Sequence, residues 1–177
     1  MLSKPKLWGK ISSDVTALSK LQVFYKFIPT AETVRPSEKG KAAKAARLER
    51  ILATYVDMPD YIYHTVFGRP VVASAESDDK LTCCDVLQDP GLSAFAANEF
   101  PYDIERGNHS IMWYAVKDKT KSDENITEDI AHELRKLLQC GEESPFDFAW
   151  YENPKMSIPE FFHVQVFWVC IDDAPGL

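Results

Sequence analysis

Two polar side chains stand in one of the most apolar stretches of the chain. Residues 161–171 have the sequence Phe-Phe-His-Val-Gln-Val-Phe-Trp-Val-Cys-Ile, which predicts a central β-strand covered on both faces. Because side chains alternate along a strand, His163 and Gln165 project from the same face. A buried polar group without a partner costs about 1–3 kcal/mol. Either the rest of the fold satisfies this pair, or their face of the strand lines a pocket.

A second group of polar residues surrounds the start of another predicted strand. Residues 98–102 (Asn-Glu-Phe-Pro-Tyr) are followed by Gly107 and by His109, and the strand predicted over residues 110–116 carries Trp113. Asparagine, proline and glycine at the start of a strand indicate a loop of defined shape. His109 at the strand edge is the second histidine that could act on a ligand. His64 and His132 lie in predicted helices and are interpreted as surface or packing residues.

A third group leads directly into the His163 strand and contains Trp150, Asn153 and Ser157. Rigid sheets present polar groups to ligands at strand ends and edges, so we expect the groups to converge around one concave site. His163 and Gln165 would form its floor, with Trp113 or Trp150 at its wall. The predicted catalytic residues are His163, Gln165 and His109; the predicted ligand-binding residues are Asn98, Tyr102, Trp113, Trp150, Asn153 and Ser157. The alternative is that each motif is local architecture, in which prolines and asparagines shape turns and the histidines bond to backbone.

A metal site is a further alternative, because His109 and His163 with Glu99 or Asp103 would supply two imidazoles and one carboxylate. These residues come from separate segments, so their spacing does not decide the matter, and no cofactor is predicted. Neither a glycine-rich phosphate loop nor a Gly-x-Ser-x-Gly motif is present in the sequence. The pattern therefore gives no basis for a dinucleotide fold or for serine acyl transfer.

The elements that must position these residues fall into two parts of one predicted domain. Residues 1–56 are expected to form a helical arm or subdomain and residues 57–177 an α+β core. Helical spacing of apolar residues predicts helices in the N-terminal half at residues 14–27, 37–55 and 61–67, with a short helix or turn at 81–87. The predicted arm offers a surface through which a protein partner could bind.

The C-terminal half predicts a sheet crossed by one helix, which gives the α+β class. Residues 110–116, 146–150 and 161–171 are expected to be strands of one antiparallel sheet. A helix over residues 127–140 is expected to cross it, capped by Asn125 or Thr127 and ended at Gly141. Its predicted apolar stripe consists of Ile130, Leu134, Leu137 and Leu138.

Charge and cysteine content narrow the function classes. The 177 residues include 20 Lys and Arg against 27 Asp and Glu, a net charge of −7, which disfavours a general nucleic-acid binder or a ligand of anionic membranes. Neither a signal peptide nor a membrane-spanning apolar run is recognisable. The four cysteines show no Cys-x-x-Cys spacing, and reduced thiols in a cytoplasmic protein are expected. The basic stretch over residues 39–50 is either a solvated helix face or a docking strip for an anionic partner.

Taken together, the three motifs resemble a known family. The series Asn98-Glu-Phe-Pro-Tyr, Gly107-x-His, Trp150-x-x-Asn-Pro, Ser157-Ile-Pro and His163-x-Gln-Val resembles the fungal N-acetylglucosamine-induced protein family over roughly residues 60–170. The chain departs from the family pattern at Glu99, where aspartate is common, at Gly107, which is one residue nearer the histidine, and at Gln165, which replaces a second histidine. The resemblance implies a link to amino-sugar metabolism or its signalling.

The His163 strand is also similar, more distantly, to the histidine-triad superfamily of nucleotide hydrolases and transferases. In its hexose-1-phosphate uridylyltransferase branch the nucleophilic histidine is followed two residues later by glutamine, as Gln165 follows His163. The similarity implies that a neutral imidazole attacks a phosphate while the amide donates to its oxygens, with Asn153 and Ser157 as further donors. Residue 167 is Phe rather than a third histidine.

Two functions from different classes follow from these patterns. The first is a small enzyme that acts on a phosphorylated or nucleotide-linked sugar through His163. The second is a non-catalytic binding or interaction protein, in which Tyr102, Trp113 and Trp150 line an aromatic surface for a ligand or partner. A structural component of a larger assembly is a third possibility. An enzyme is expected to hold His163, Gln165 and His109 around an open cavity, whereas a binding module would bury and bond the histidines.

Overall fold

A computed structural model describes residues 38–77, 79–83, 88–102, 107–141, 146–153 and 156–170. The helix predicted over residues 14–27 and the last residue of the strand predicted over 161–171 lie outside the described residues. The described elements, in chain order, are α1 (Glu38–Thr54), α2 (Met58–Thr65), β1 (Val71–Ala73), β2 (Leu81–Cys83), β3 (Ser93–Ala97), β4 (Asn108–Tyr114), α3 (Asp123–Leu138), β5 (Phe146–Glu152) and β6 (His163–Cys170).

The C-terminal half forms one four-stranded antiparallel sheet with the strand order β3-β4-β6-β5. This confirms the α+β class and the prediction that the three strands share a sheet. Helix α3 connects β4 to β5, which run parallel to each other because each is antiparallel to β6 between them. β6 is therefore a central strand, and Val164 and Val166 in it are fully buried.

The two faces of the sheet are covered by different helices. On the α3 face, Phe148, Trp150 and Val166 pack with Ile130 and Leu134 of the helix in one apolar cluster. On the opposite face, called here the α2 face, the residues packed together include Trp113 of β4, Phe161 before β6, Ile51 of α1 and Tyr63 of α2. The Tyr63 and Phe161 rings meet edge to face at 4.8 Å. The α3 face of β6 is thus covered by packed side chains, and the α2 face is covered at the end where Phe161 leads into the strand.

Helix α3 begins earlier than the sequence pattern predicts. Its N-cap is Ser122, whose hydroxyl accepts a hydrogen bond from the Asn125 backbone nitrogen, and neither Asn125 nor Thr127 caps the helix. The extra turn places Ile126 in the core. At the other end the helix stops before the predicted Gly141, because its C-cap is Gln139 in the left-handed conformation with φ of 52°.

The predicted stripe of α3 is wrong at one position. Leu137 is 55 % exposed, whereas Leu138 packs against the cluster on the α3 face. Ile126, Ile130, Ala131 and Leu134 are the buried residues of the helix. Buried positions four residues apart lead to Leu138 in the last turn, and Leu137 is left on the solvent side.

The cap assignment gives a direct stability prediction. Ser122→Ala removes the side-chain acceptor from the first turn of α3 and is expected to lower the free energy of unfolding by about 1 kcal/mol. Asn125→Ala is the matched control, because Asn125 is exposed inside the helix and alanine is the better helix former there. Urea denaturation of both variants measures the difference. Equal losses in the two variants would contradict Ser122 as the cap.

The helix or turn predicted over residues 81–87 is wrong where the structure describes it. Leu81–Cys83 is strand β2, which pairs antiparallel with β1 so that Val71 faces Cys83. Asp60, near the start of α2, accepts a 2.7 Å hydrogen bond from the Cys83 backbone nitrogen and a 3.1 Å bond from the Thr82 hydroxyl. This tertiary anchor, which local spacing cannot reveal, holds a three-residue strand in place. Residues 84–87 lie outside the described part of the chain.

Cys83, Cys140 and Cys170 are free thiols, in agreement with the expectation of no disulfide; Cys84 is not among the described residues. The helices within the described ranges include none with both the length and the apolar character needed to cross a membrane.

Candidate functional site

The candidate site lies on the α2 face of the sheet, where β6 presents His163, Gln165 and Phe167 in succession. The β4–β6 register places Trp113 opposite His163, Ile111 opposite Gln165 and His109 opposite Phe167. His109 is therefore offset from His163 by four residues of β6, about 13 Å along the strand. Gln165 lies between the two histidines along β6, so its side chain can reach the surroundings of both.

Gln165 and His109 form the centre of a buried hydrogen-bonded network. The His109 Nε2 atom lies 2.7 Å from Gln165 Oε1. The Asn98 amide nitrogen lies 3.2 Å from the same imidazole nitrogen and donates to Gln165 Oε1 at 3.4 Å. The Tyr102 backbone nitrogen donates to His109 Nδ1 at 3.0 Å. Asn98 and Gln165 belong to two different sequence motifs and are 67 residues apart in the chain, yet their side chains are in direct contact.

These contacts determine where the His109 proton resides. A backbone N–H only donates, so Nδ1 accepts from Tyr102 and the proton of the neutral ring is on Nε2. Nε2–H therefore donates to Gln165 Oε1. Both ring nitrogens of His109 are occupied, which leaves no lone pair for a ligand, a proton transfer or a metal.

Burial keeps His109 neutral. The residue is 6 % exposed, and its ring stacks on Phe167 with 4.3 Å between the ring centroids. Desolvation lowers the pKa of His109 to about 4, against a smaller opposing effect of the hydrogen bond with Gln165. The second predicted catalytic histidine is thus an uncharged structural donor over the neutral pH range.

Residues 98–102 shape the loop that closes this network. Asn98 Oδ1 accepts from the Phe100 backbone nitrogen at 2.9 Å, which forms a side-chain turn and directs the Asn98 amide nitrogen to the sheet. Glu99 points to the helices instead, where it accepts from Tyr61 Oη at 2.6 Å and from Arg47 at 3.1 Å. The Tyr102 hydroxyl lies 3.1 Å from that of Tyr151 on β5.

His163 has a different environment from His109. Its Nδ1 atom lies 2.9 Å from the Phe161 carbonyl oxygen, which can only accept, so Nδ1 carries the proton. The ring packs on Trp113 with 4.5 Å between the centroids. Desolvation lowers the pKa of His163, although the bond to Phe161 opposes this effect. The Nε2 atom, which holds the lone pair, makes no hydrogen bond within the described residues.

Both hydrogen bonds of the Gln165 side chain, from His109 and from Asn98, go to its oxygen, and its amide nitrogen makes none with the described residues. A donor and a lone pair are consequently available on the same strand face, two residues apart. Both residues are strongly buried, His163 being 3 % and Gln165 5 % exposed. An acceptor paired with a donor at this spacing can bind a small group that offers both functions.

Other predicted site residues lie elsewhere. Trp150 is on the opposite, α3 face, where its indole nitrogen donates to Thr127 Oγ1 at 2.9 Å, so it does not line a site with the histidines. Trp113 lies on the correct face but inside the packed core. Asn153 is half-buried just beyond β5, and Ser157 is exposed. The three sequence motifs therefore converge only in part.

Sequence reasoning missed two residues of the network. Tyr151 lies opposite Gln165 in the β5–β6 register, and Phe167 supports the His109 ring. The signal for Phe167 was present, since it is the next residue on the same face of the strand after Gln165. Tyr151 depended on the register between β5 and β6, which spacing along the chain does not give.

A metal site at the histidines has no support in the described residues. They contain no group of three or more His, Cys, Asp or Glu side chains that could hold an ion. Glu99 is instead bonded to Tyr61 and Arg47, and Asp103 lies outside the described ranges. No protein-family model matches the chain, and neither does a curated protein or a solved structure.

Proposed function

We propose that the protein is a small cytosolic enzyme in which His163 attacks a phosphorus atom of a phosphorylated or nucleotide-linked sugar. The observation that carries the proposal is a pair of atoms, His163 Nε2 and the Gln165 amide nitrogen, that lie on one face of β6 and have no hydrogen-bond partner among the described residues. The Phe161 carbonyl fixes the tautomer that places the lone pair on Nε2. A neutral imidazole with a fixed tautomer is the form required of a nucleophile.

The reaction balances without a further acid when the substrate is a nucleotide sugar. The Nε2 lone pair forms an N–P bond to the nucleotide phosphorus, and the P–O bond to the sugar phosphate breaks with its electron pair. The leaving sugar 1-phosphate is a stable anion that needs no proton. The ring gains positive charge, and the Phe161 carbonyl that accepts from Nδ1–H stabilises it. Water or a second sugar phosphate then cleaves the N–P bond and restores the imidazole.

Gln165 supports this reaction by its position. Its amide nitrogen can donate to a phosphoryl oxygen, whose negative charge must be stabilised as the phosphorus is attacked. The sugar class rests on the resemblance to the N-acetylglucosamine-induced family. The first substrates to test are therefore UDP-N-acetylglucosamine and N-acetylglucosamine 6-phosphate.

The covalent intermediate provides the test. Incubation with UDP-N-acetylglucosamine, followed by intact-mass measurement, is expected to show one uridylyl group per chain, labile in acid as N–P bonds are. With N-acetylglucosamine 6-phosphate the proton of the phosphate monoanion passes to the C6 oxygen as the P–O bond breaks, and the expected adduct is one phosphoryl group. His163→Ala should form neither adduct. His132→Ala is the matched control, because His132 is an exposed histidine on α3, and it should be labelled as the wild type is.

Two outcomes would refute the enzyme. One is labelling that persists in a folded His163→Ala variant, and the other is absence of labelling and turnover with both sugars. The second candidate function, a non-catalytic binding protein, is favoured by the mutual satisfaction of the His109 network and the low exposure of His163. Binding of UDP-N-acetylglucosamine without turnover or adduct would establish that alternative.

A further inference from the structure

We infer that His109 and Asn98 are positioning residues that hold the Gln165 amide nitrogen toward the ligand, so that the site selects a ligand group that accepts hydrogen bonds. The inference rests on the proposed ligand site at His163 and Gln165, and it deepens that proposal by naming the chemistry recognised there. It follows from a chain of contacts in which each proton assignment fixes the next.

The chain of contacts begins at the Tyr102 backbone nitrogen, which can donate a hydrogen bond but cannot accept one. Its N–H donates to His109 Nδ1, so the imidazole proton is on Nε2 and points to Gln165. The ring cannot readily turn to exchange its nitrogens, because it is stacked on Phe167 and packed against the tilted ring of Tyr102, with centroids 4.3 and 4.7 Å away. His109 is consequently a fixed donor.

The second step is the amide of Gln165. Its oxygen has two lone pairs, and it receives His109 Nε2 at 2.7 Å and Asn98 Nδ2 at 3.4 Å. A rotation of the amide by half a turn would place its NH2 group against these two donors and lose both bonds. The amide orientation is therefore determined, and only N–H donors of Gln165 remain for a ligand.

The consequence for specificity is a preference for ligand groups that accept hydrogen bonds over groups that donate them. A phosphoryl or carboxylate oxygen accepts from the Gln165 amide, whereas an ammonium group brings a second donor to it. The neutral His163 Nε2 offers the complementary lone pair to an electrophilic phosphorus. A phosphoryl group is the small unit that satisfies both atoms.

Replacing Gln165 tests whether the ligand must accept a hydrogen bond from the amide nitrogen. Gln165→Glu keeps an oxygen for His109 and Asn98 but removes the amide protons and adds negative charge; Gln165→Met removes both functions. Binding of inorganic phosphate and of UDP-N-acetylglucosamine is measured at pH 8, where the carboxylate is ionised, with circular dichroism as the check of folding. We expect at least a hundredfold loss for Gln165→Glu, and a smaller loss for Gln165→Met. Undiminished or tighter binding by Gln165→Glu would overturn the inference.

Replacing His109 tests the positioning role. His109→Gln retains a donor for Gln165 and an acceptor for the Tyr102 N–H, so phosphate affinity should stay within about threefold of wild type. His109→Leu loses both and should bind at least tenfold more weakly. In the ligand-free wild type, long-range nitrogen-15 NMR should show the proton on Nε2, a readout that does not depend on activity. A proton on Nδ1, or equal affinity of the two variants, would refute the relay.

These measurements separate the inference from the proposed enzyme. If phosphate binding depends on Gln165 and His109 but no covalent adduct forms, the proposed catalytic function is refuted and the positioning role of His109 and Asn98 stands. An adduct that forms equally well in Gln165→Glu would remove the inference and leave the enzyme. A wild type that binds neither phosphate nor UDP-N-acetylglucosamine would overturn both.

Discussion

Lowering the pH from 7 to below 4 should cost the fold about 3 kcal/mol through His109 alone. The pKa of His109 is lowered to about 4 in the folded protein, against about 6.5 in an unfolded chain. Each pKa unit corresponds to about 1.4 kcal/mol, so a difference of roughly 2.5 units gives this value. Because His109 is largely desolvated, burial rather than surface charge causes its pKa shift and the resulting loss of stability.

The sign follows from proton counting. Between pH 6.5 and 4 the unfolded chain binds a proton at His109 that the folded protein does not, so stability falls as the pH falls through this window. Protonated Nδ1 could no longer accept from the Tyr102 N–H, and the loop at residues 98–102 would lose its bond to the ring. His163, whose pKa is also lowered, acts in the same direction.

Asp57 opposes this trend at the acid end of the range. Desolvation raises the pKa of its carboxyl group, so protonation of Asp57 favours the folded state as the pH falls. The effects of His109 and Asp57 on the pH dependence of stability are therefore opposite in direction.

Urea denaturation at a series of pH values measures the effect, and His109→Gln supplies the control. The variant does not titrate at this position, so its loss of stability between pH 7 and 4 should be about 3 kcal/mol smaller than that of the wild type. Its stability at pH 7 is a separate quantity and does not enter the comparison. Parallel pH curves for the two proteins would show that His109 is not the buried, neutral group described here.

The sequence predicted the parts of this site that depend on one strand and left out those that depend on strand register. An apolar run interrupted by two polar residues was sufficient to place His163 and Gln165 on one face of a central strand. Which side chains meet them depends on how β4, β5 and β6 align. The amide orientation of Gln165 depends further on the turn made by Asn98, which brings a backbone donor to His109.

The three strands that the sequence analysis missed, β1, β2 and β3, have a related explanation. β3 has the sequence Ser-Ala-Phe-Ala-Ala, which lacks β-branched residues, and its pairing with β4 over five residues stabilises it. β1 and β2 have three residues each, and β2 depends on Asp60 for an additional hydrogen bond. In each case tertiary contacts outweigh local propensity, and a single sequence contains no record of them.

Trp150 shows the same limit and gives the other large expected effect. Its alternation with Phe146 and Phe148 predicted a common face, but only its register with Val166 shows that this is the face opposite Gln165. Trp150 has no exposed surface and fills the core beneath α3. Trp150→Ala should therefore lower the free energy of unfolding by about 3–5 kcal/mol, measured by urea denaturation at pH 7.

The matched variant Trp150→Phe separates core packing from ligand binding. It keeps a buried ring and loses the bond from the indole nitrogen to Thr127, so it should cost less than Trp150→Ala and remain folded. Because Trp150 lies on the α3 face, the affinity of Trp150→Phe for phosphate or UDP-N-acetylglucosamine should equal that of the wild type. A tenfold or greater loss of affinity in the folded variant would place Trp150 in the site after all. A cost below 1 kcal/mol for Trp150→Ala would contradict its burial at the centre of the α3 face.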